Sequence, residues 1–256
     1  MSYVEVKNVA KAYGGRTIIE NINVTVAKGQ FISIVGASGC GKSTFLRLLL
    51  AQEQPTTGEI HIDGAPMAKE PGRDHGIVFQ RYSVFPHMRV VDNLVAARAF
   101  GTSFWGRLGR SERQTARDAG QATLERIGLG HVANHYPSEL SGGMLQRLAI
   151  AQALAGDPKI LLLDEPFGAL DPGTRVTMHE FLQDLRDRLH VTVFMVTHDL
   201  EEAFKLGDRV LAFDKPKWDP EDPQKYGATI TYDFDARDNG IPYQTLMENT
   251  NVLAPH

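Results

Sequence analysis

Alternating stretches and short apolar runs divide the chain into recognisable pieces. Tyr3 to Ala10 sets Val4, Val6 and Val9 among Glu5, Lys7 and Asn8, and predicts an edge or hairpin strand. Ile18 to Val26 alternates in the same way ahead of a turn at Lys28-Gly29. Gln30 to Val35 is nearly all apolar, the pattern of a strand buried on both faces. It runs into a Gly-rich turn, after which Lys42 to Gln52 predicts a helix carrying Phe45, Leu46, Leu49 and Leu50. Strand, glycine loop and helix in that order open an α/β phosphate-binding unit. Gly58 to Gly64 and Gly76 to Gln80 read as further short strands. From about Asp92 to about Ala155 the spacing turns helical, marking a helical subdomain inserted between two α/β portions.

A second buried strand is predicted at Ile160 to Leu163, and a third at Val191 to Val196. Between them a helix shows Met178, Phe181, Leu182, Leu185 and Leu189 on one face. Asp199 with Glu202 three residues on is a variant capping box, and Gly207 is placed to end that helix. Residues 215 to 223 hold too many prolines for a helix or strand, whereas Ala228 to Phe234 predicts a hairpin with Arg209 to Phe213. No internal repeat is visible.

Composition narrows the class. The 256 residues suffice for one large domain or two small ones, and 42% hydrophobic with 23% charged residues is ordinary for a soluble protein. Lys plus Arg number 27 against 31 for Asp plus Glu, so the formal charge of −4 argues against a general nucleic-acid coat. Cys40 is the one cysteine, which excludes an intrachain disulfide and favours a reducing compartment. Met1 to Ala10 lacks the layout of a secretory signal, and no apolar run approaches the ~20 residues that cross a bilayer. The expectation is a soluble, cytoplasmic chain that touches a membrane system only through a partner.

Three segments carry chemistry. Gly36-Ala37-Ser38-Gly39-Cys40-Gly41-Lys42-Ser43 fits G-x-x-x-x-G-K-[ST] without a mismatch. Its glycines let successive N–H groups converge on one anion, and the helix that follows adds its positive end. Lys42 then sits on the β- and γ-phosphates and the Ser43 hydroxyl on Mg²⁺. Ile160 to Leu163 ends in Asp164-Glu165, and strand carboxyl ends are where open parallel sheets bind ligands. Asp164 is suited to holding Mg²⁺ and Glu165 to polarising a water, although alone the pair reads by default as solvated acids capping a strand. Leu140-Ser141-Gly142-Gly143 precedes a helix, with Ser141 as N-cap and two glycines baring the helix start.

In order and spacing these segments resemble the nucleotide-binding subunit of ATP-binding-cassette (ABC) transporters, over nearly all of residues 1 to 214. Gly36 to Ser43 matches the Walker A loop, Ile160 to Asp164 the Walker B strand and Leu140 to Gly143 the signature. Gln80 matches the Q-loop, Ala169-Leu170-Asp171 the D-loop, His198 the switch histidine and Tyr13 the aromatic that stacks on adenine. The resemblance implies a P-loop NTPase (RecA-like) α/β core with an N-terminal antiparallel β-subdomain and an inserted α-helical subdomain at about 85 to 155. Residues 215 to 256 form a short C-terminal extension. It further implies ATP and Mg²⁺ as ligands. Tyr13, Gly36, Ala37, Ser38, Gly39, Cys40, Gly41, Lys42, Ser43, Thr44, Ser141, Gly142, Gly143 and Asp171 then bind nucleotide, and Ser43, Gln80 and Asp164 bind the metal. Glu165, His198, Gln80 and Lys42 are the catalytic candidates. Taken singly, Gln80, His198, Tyr13 and Asp171 read as a surface amide, a strand-end polar group, a packing residue and a turn residue.

The partners implied are a second copy packed head to tail, polytopic permease subunits and, indirectly, an extracytoplasmic solute-binding protein. No nucleic acid is implied, and the location is the cytoplasmic face of the membrane. The run Pro166-Phe167-Gly168-Ala169-Leu170-Asp171 suits bacterial importers of the nitrate, sulfonate and taurine kind. A soluble ABC protein of DNA repair or translation is the second reading, but such proteins carry paired cassettes, a long coiled coil or a zinc module. A non-hydrolytic regulatory module is the third, and the presence of Glu165 and His198 argues against it. Met144-Leu145 departs from the glutamine-rich pair usual after the signature. Cys40 reads either as a nucleotide-shielded reactive thiol or as a small residue that fits. Arg81 to Met88 and Phe104-Trp105-Gly106 place aromatic and apolar residues in connecting segments, which suits either a partner contact or a loop folded onto its own core.

Overall fold

The computed structural model describes residues 2–79, 84–102, 109–188, 190–217, 219, 221, 225–237 and 245–246. In chain order the elements are β1 (Ser2–Tyr13), β2 (Arg16–Ala27), β3 (Phe31–Gly36), α1 (Lys42–Leu49), β4 (Thr57–Ile62), β5 (Ala65–Pro66), β6 (His75–Val78), α2 (Val90–Thr102) and α3 (Arg110–Arg126). They continue with α4 (Gly142–Leu154), β7 (Ile160–Asp164), α5 (Pro172–Arg188), β8 (Thr192–Val196), α6 (Leu200–Leu206), β9 (Arg209–Asp214) and β10 (Thr229–Asp235). They fall into two compact units, residues 1–72 with 186–256, and residues 73–185.

The first unit holds an antiparallel sheet in the order β2-β1-β4-β5. Its hydrophobic spacing explains an irregularity in it. Val4 and Val6 are two apart and share the buried face, but Val9 is three further on and is also fully buried. The extra residue is absorbed where the β1–β2 register shifts between Val6 and Val9 and Asn8 takes φ 50°. Asn21 on β2 does the same at φ 50°, so that Ile19 and Ile22 both face the core. Asparagine tolerates that conformation better than most residues, and the Asn8 N–H donates to the Asn23 side-chain oxygen at 2.9 Å.

The same unit contains strands in the order β10-β9-β3-β8, with β3 parallel to both β8 and β9 and β10 antiparallel to β9. Every residue of β3 and β8 is buried, as the continuous apolar runs require. The hairpin of β9 with β10 forms over the residues the alternation singled out. Phe45 of α1 meets Phe213 of β9 with ring centroids 5.5 Å apart, and both side chains are fully buried. Truncating either to Ala carries the usual cost of about 3–5 kcal/mol for an emptied aromatic core site.

In the second unit β6 and β7 pair in parallel, and α2, α3 and α4 share a core of Val90, Val91, Leu94, Leu124 and Leu148. Val84, Met144 and Phe181 pack against it, and the Arg147 guanidinium lies 5.5 Å over the Phe181 ring. Among the described residues no helix is long and apolar enough to cross a membrane.

His75 opens β6 half-buried, and neither ring nitrogen has a hydrogen-bond partner. Burial pushes its pKa below the usual histidine value, against the opposing charge of Asp74. The unfolded chain therefore binds the extra proton more readily just below about pH 6.5, so stability rises with pH through that window and is lost on acidification. Urea titrations at a series of pH values are expected to show a shallower acid loss for His75→Phe than for the parent; an unaltered slope would assign the acid sensitivity elsewhere.

Candidate functional site

The phosphate loop lies between β3 and α1, where three glycines take positive φ: Gly36 at 152°, Gly39 at 80° and Gly41 at 100°. For two of them space is as restrictive as conformation. A Cβ on Gly36 would stand 2.3 Å from the Phe213 carbonyl oxygen, and one on Gly41 would stand 2.4 Å from Ile19 Cγ2. Gly41 is also the N-cap of α1, where it has no side chain to bond the first-turn amides. A helix start without a side-chain cap, opening from a curled glycine loop, is the donor arrangement that anions bind. Lys42 is buried, and its ammonium donates to the Gly36 and Ala37 carbonyls at 2.6 and 2.8 Å. Those dipoles hold the charge beside the loop.

Cys40 is buried in the same turn, and burial raises its thiol pKa, with Lys42 opposing. A shielded, mostly protonated thiol is poorly nucleophilic, which favours the space-filling reading of this residue over a reactive one. Ser43 and Thr44 follow on the first turn of α1, both half-buried. Tyr13, at the end of β1, is 43% exposed; its hydroxyl donates to Glu53 and lies in reach of the Thr44 side chain. The aromatic thus stands beside the helix that carries the phosphate loop.

His198 is exposed just beyond β8, in a turn fixed from below. The Thr197 hydroxyl donates to the carboxylate of buried Glu202 at 2.7 Å and accepts the Asp199 N–H at 3.0 Å. Asp199 caps α6 by accepting from the Glu201 and Glu202 amides. Only half of the expected capping box forms, because the Glu202 carboxylate is bonded to Thr197. Gly207 does end α6, but at φ −76°, not in the left-handed region. Its need for glycine is spatial, since a Cβ would meet Ser33 Oγ at 2.6 Å and the Ala203 carbonyl at 2.8 Å.

The second unit holds the acidic strand end. Ile160 to Leu163 are fully buried, whereas Asp164 and Glu165 are half-buried. Glu165 adopts φ 47°, a conformation that costs a non-glycine residue about 1–3 kcal/mol and persists only where the surroundings impose it. The next turn supplies that restraint: Gly168 N–H donates to the Glu165 carbonyl at 3.3 Å, and buried Phe167 packs edge-on against His179 at 5.0 Å. Asp171 accepts from the Thr174 amide at 3.0 Å as α5 begins. The Thr174 side chain and amide together hold its carboxyl below the usual range.

Ser141 is the N-cap of α4, accepting from the Met144 amide at 3.4 Å, with Gly142 exposed and Gly143 buried. A Cβ on Gly143 would lie 2.5 Å from Thr174 Cγ2, so the signature helix start packs against the turn that carries Asp171.

Gln80, Arg81 to Ser83 and Phe104 to Gly106 lie outside the described residues. Just beyond, Val84 packs on the helical core and Phe85 is tied to Asn93. Asn93, fully buried, accepts the Phe85 amide at 2.7 Å and donates to the Phe85, Met88 and Arg89 carbonyls at 3.2, 3.3 and 3.0 Å. The described part of this connection is therefore folded onto its own unit. Nothing in the sequence marks Asn93, Glu53 or Thr174, none of which lies in a motif whose spacing would reveal it, and the spacing that marks Glu202 points to a capping box and not to its bond with Thr197. Replacing Gly143 by Ala is expected to destabilise the chain by about 1–3 kcal/mol through overpacking. Adding Thr174→Ser, which removes the opposing methyl but keeps the hydroxyl, should recover most of that loss in urea denaturation.

Comparison with known proteins identifies the family. Residues 19–168 match the family model described as ABC transporter. The nitrate import ATP-binding protein NrtD of Synechocystis sp. is 44% identical over 212 residues, covering 81% of this chain and 76% of that protein. The sulfate/thiosulfate import ATP-binding protein CysA of Acinetobacter baylyi is 40% identical over 214 residues, covering 83% of this chain but only 60% of the relative. Among solved structures, the dimeric ATP-binding cassette MJ0796 in a post-hydrolysis state with ADP and Pi superposes with a TM-score of 0.72 at 32% identity. That match covers 91% of this chain and 99% of the other. The curled glycine loop, the buried lysine and these likenesses converge: the chain belongs to the ABC transporter family and has the α/β fold of its ATP-binding cassettes.

Proposed function

We propose that this chain is the ATP-hydrolysing subunit of an importer, working as a head-to-tail pair beneath membrane permease subunits at the cytoplasmic face. The observation that carries the reading is the phosphate loop, moulded so tightly that Gly36 and Gly41 admit no side chain. It occurs in a chain that aligns over four fifths of its length with import ATP-binding proteins. The relatives' names span nitrate, sulfate/thiosulfate and ferric ions, which favours import and leaves the cargo to the permease and an extracytoplasmic solute-binding protein.

The residue roles follow from chemistry and family resemblance. The loop amides of Gly36 to Ser43 bind the β- and γ-phosphates, and Lys42, held at the loop by the Gly36 and Ala37 carbonyls, donates to the phosphate oxygens. Thr44 extends the donors of the helix start, and Tyr13 stacks on the base. The Ser43 hydroxyl, the Asp164 carboxylate and the Gln80 amide are the hard oxygen donors that suit Mg²⁺, which when bound offsets the phosphate charge. Glu165 accepts a proton from the attacking water as its oxygen bonds to the γ-phosphorus, while the bond to the ADP oxygen breaks. His198 and Gln80 orient the water and the γ-phosphate. The second copy contributes Ser141, Gly142 and Gly143 as donors to the phosphates, with Asp171 joining at the interface.

Two measurements test this. Glu165→Gln should retain ATP binding, lower turnover by about 10²-fold or more and trap an ATP-bound dimer in gel filtration; normal turnover would remove Glu165 from its role. Affinity capture of the tagged chain from solubilised native membranes should bring down a stoichiometric multi-span permease. Recovery of only soluble partners, DNA or ribosomes would take import out of the account and leave the ATPase chemistry standing.

A further inference from the structure

Among the described residues few large apolar side chains are exposed, and Tyr13 is one of them. It is not loosely held. Its hydroxyl donates to the Glu53 carboxylate and reaches Thr44, one residue beyond the phosphate loop. The Lys11 ammonium lies 5.0 Å from the centroid of its ring and 3.3 Å from Glu53, and Arg47 stands 3.7 Å from the same carboxylate.

Glu53 is itself fixed by its backbone. The Gln52 and Glu53 amides both donate to the Arg47 carbonyl at the end of α1, at 3.0 and 3.3 Å. The loop is then stitched to β1 by Thr56 N–H to the Ala10 carbonyl at 2.8 Å and Ala12 N–H to Thr56 Oγ1 at 3.0 Å. Lys11 adds a bond to the Gln54 carbonyl at 2.8 Å.

The two partners are in complementary protonation states. Burial, then the bond to Glu53, raises the Tyr13 pKa, so the phenol remains a donor. Burial works against Glu53 ionising, but the bonds from Tyr13 and Lys11 with the charge of Arg47 outweigh it and lower its pKa. The result is a charge-assisted hydrogen bond, which restrains direction more strongly than a neutral one.

We propose that Glu53 is a positioning residue of the nucleotide site, holding the Tyr13 hydroxyl beside Thr44 so that the ring is preset as a stacking platform for the base of a nucleoside triphosphate. A ring ordered before the ligand arrives loses little rotamer freedom when the base lands on it. The phosphates have their own site on the loop, so the tether acts on the base alone. This inference rests on the base-stacking role proposed for Tyr13 and adds the group that makes the role effective.

The test compares binding of ATP with binding of inorganic tripolyphosphate, which has no base, by titration calorimetry on the full chain. Tyr13→Ala should weaken ATP about ten-fold, within the range for base–aromatic stacking, and leave tripolyphosphate unchanged. Glu53→Ala and Tyr13→Phe, each of which removes the tether and keeps a ring, should each weaken ATP about three- to ten-fold, the size of one hydrogen bond. The double variant should be no weaker than either single one. If Glu53→Ala binds ATP normally while Tyr13→Ala does not, the platform stands and the positioning role is overturned. Equal loss of both ligands in Glu53→Ala would show general damage to the fold and overturn it too. An unchanged ATP to tripolyphosphate ratio in Tyr13→Ala would overturn the base-stacking role itself.

Discussion

The β9 backbone and the isoleucine side chains of β2 approach the loop Gly36 to Ser43 so closely that they act as its mould. Phe213 on one side and Ile19 on the other leave no room for a methyl group at Gly36 or Gly41. The curl therefore depends on how firmly those two strands are held. β9 is fixed by parallel pairing with β3 and antiparallel pairing with β10. β2 is fixed by β1 along most of its length, and near its start by a second partner. Ala228 N–H donates to the Ile18 carbonyl at 2.9 Å, and Glu20 N–H donates to the Ala228 carbonyl at 2.9 Å. Residues that come after the nucleotide-binding motifs in sequence thus brace, in space, the strand under Gly41. A purpose for the segment after Asp214 that the sequence leaves open becomes partly structural: its hairpin strand and its Ala228 link clamp both sides of the mould.

The parts legible in the sequence are those in which one local rule decides. The apolar run at Ile160 to Leu163, and that at Phe31 to Val35 interrupted by Ser33 alone, read as buried strands, and a G-x-x-x-x-G-K-S run between a buried strand and a helix reads as a curled loop. Val4, Val6 and Val9 read as plain alternation, and the bulge at Asn8 that lets all three face the core needed the partner strand. What stayed hidden were the side-chain bonds that join residues far apart in the chain. Tyr13 and Glu53 are 40 positions apart, and nothing in either neighbourhood announces the other. Glu202 shows the opposite failure: a local rule applied, but a buried hydroxyl at Thr197 competed for the carboxylate and won. A buried acid bonded to a buried hydroxyl avoids leaving two polar groups unsatisfied, which a solvent-facing capping box would not.

The same logic accounts for where charge is placed. Lys42 is buried against backbone carbonyls, Asp171 is held by the Thr174 amide and hydroxyl, and Glu202 is anchored by Thr197. In each case fixed dipoles orient a charged group before any ligand is bound. Charge preset in this way suits the phosphoryl transfer proposed above, which needs positioning more than covalent help.

Glu165 extends this argument to the backbone. A residue in the left-handed region at the end of a buried strand is turned out of the strand direction, so its carboxylate does not follow the pleat of Leu161 and Leu163. The conformation is unfavourable by about 1–3 kcal/mol for a residue with a side chain. Glycine would relieve it and would lose the carboxylate. Retention of glutamate at that φ, with Phe167 and His179 packed beneath the following turn, means that the strain is offset by burial nearby. The left-handed turn therefore fixes the direction in which this carboxylate leaves the strand, as the same region does for the chain at Ala51, Asp63 and Asp157.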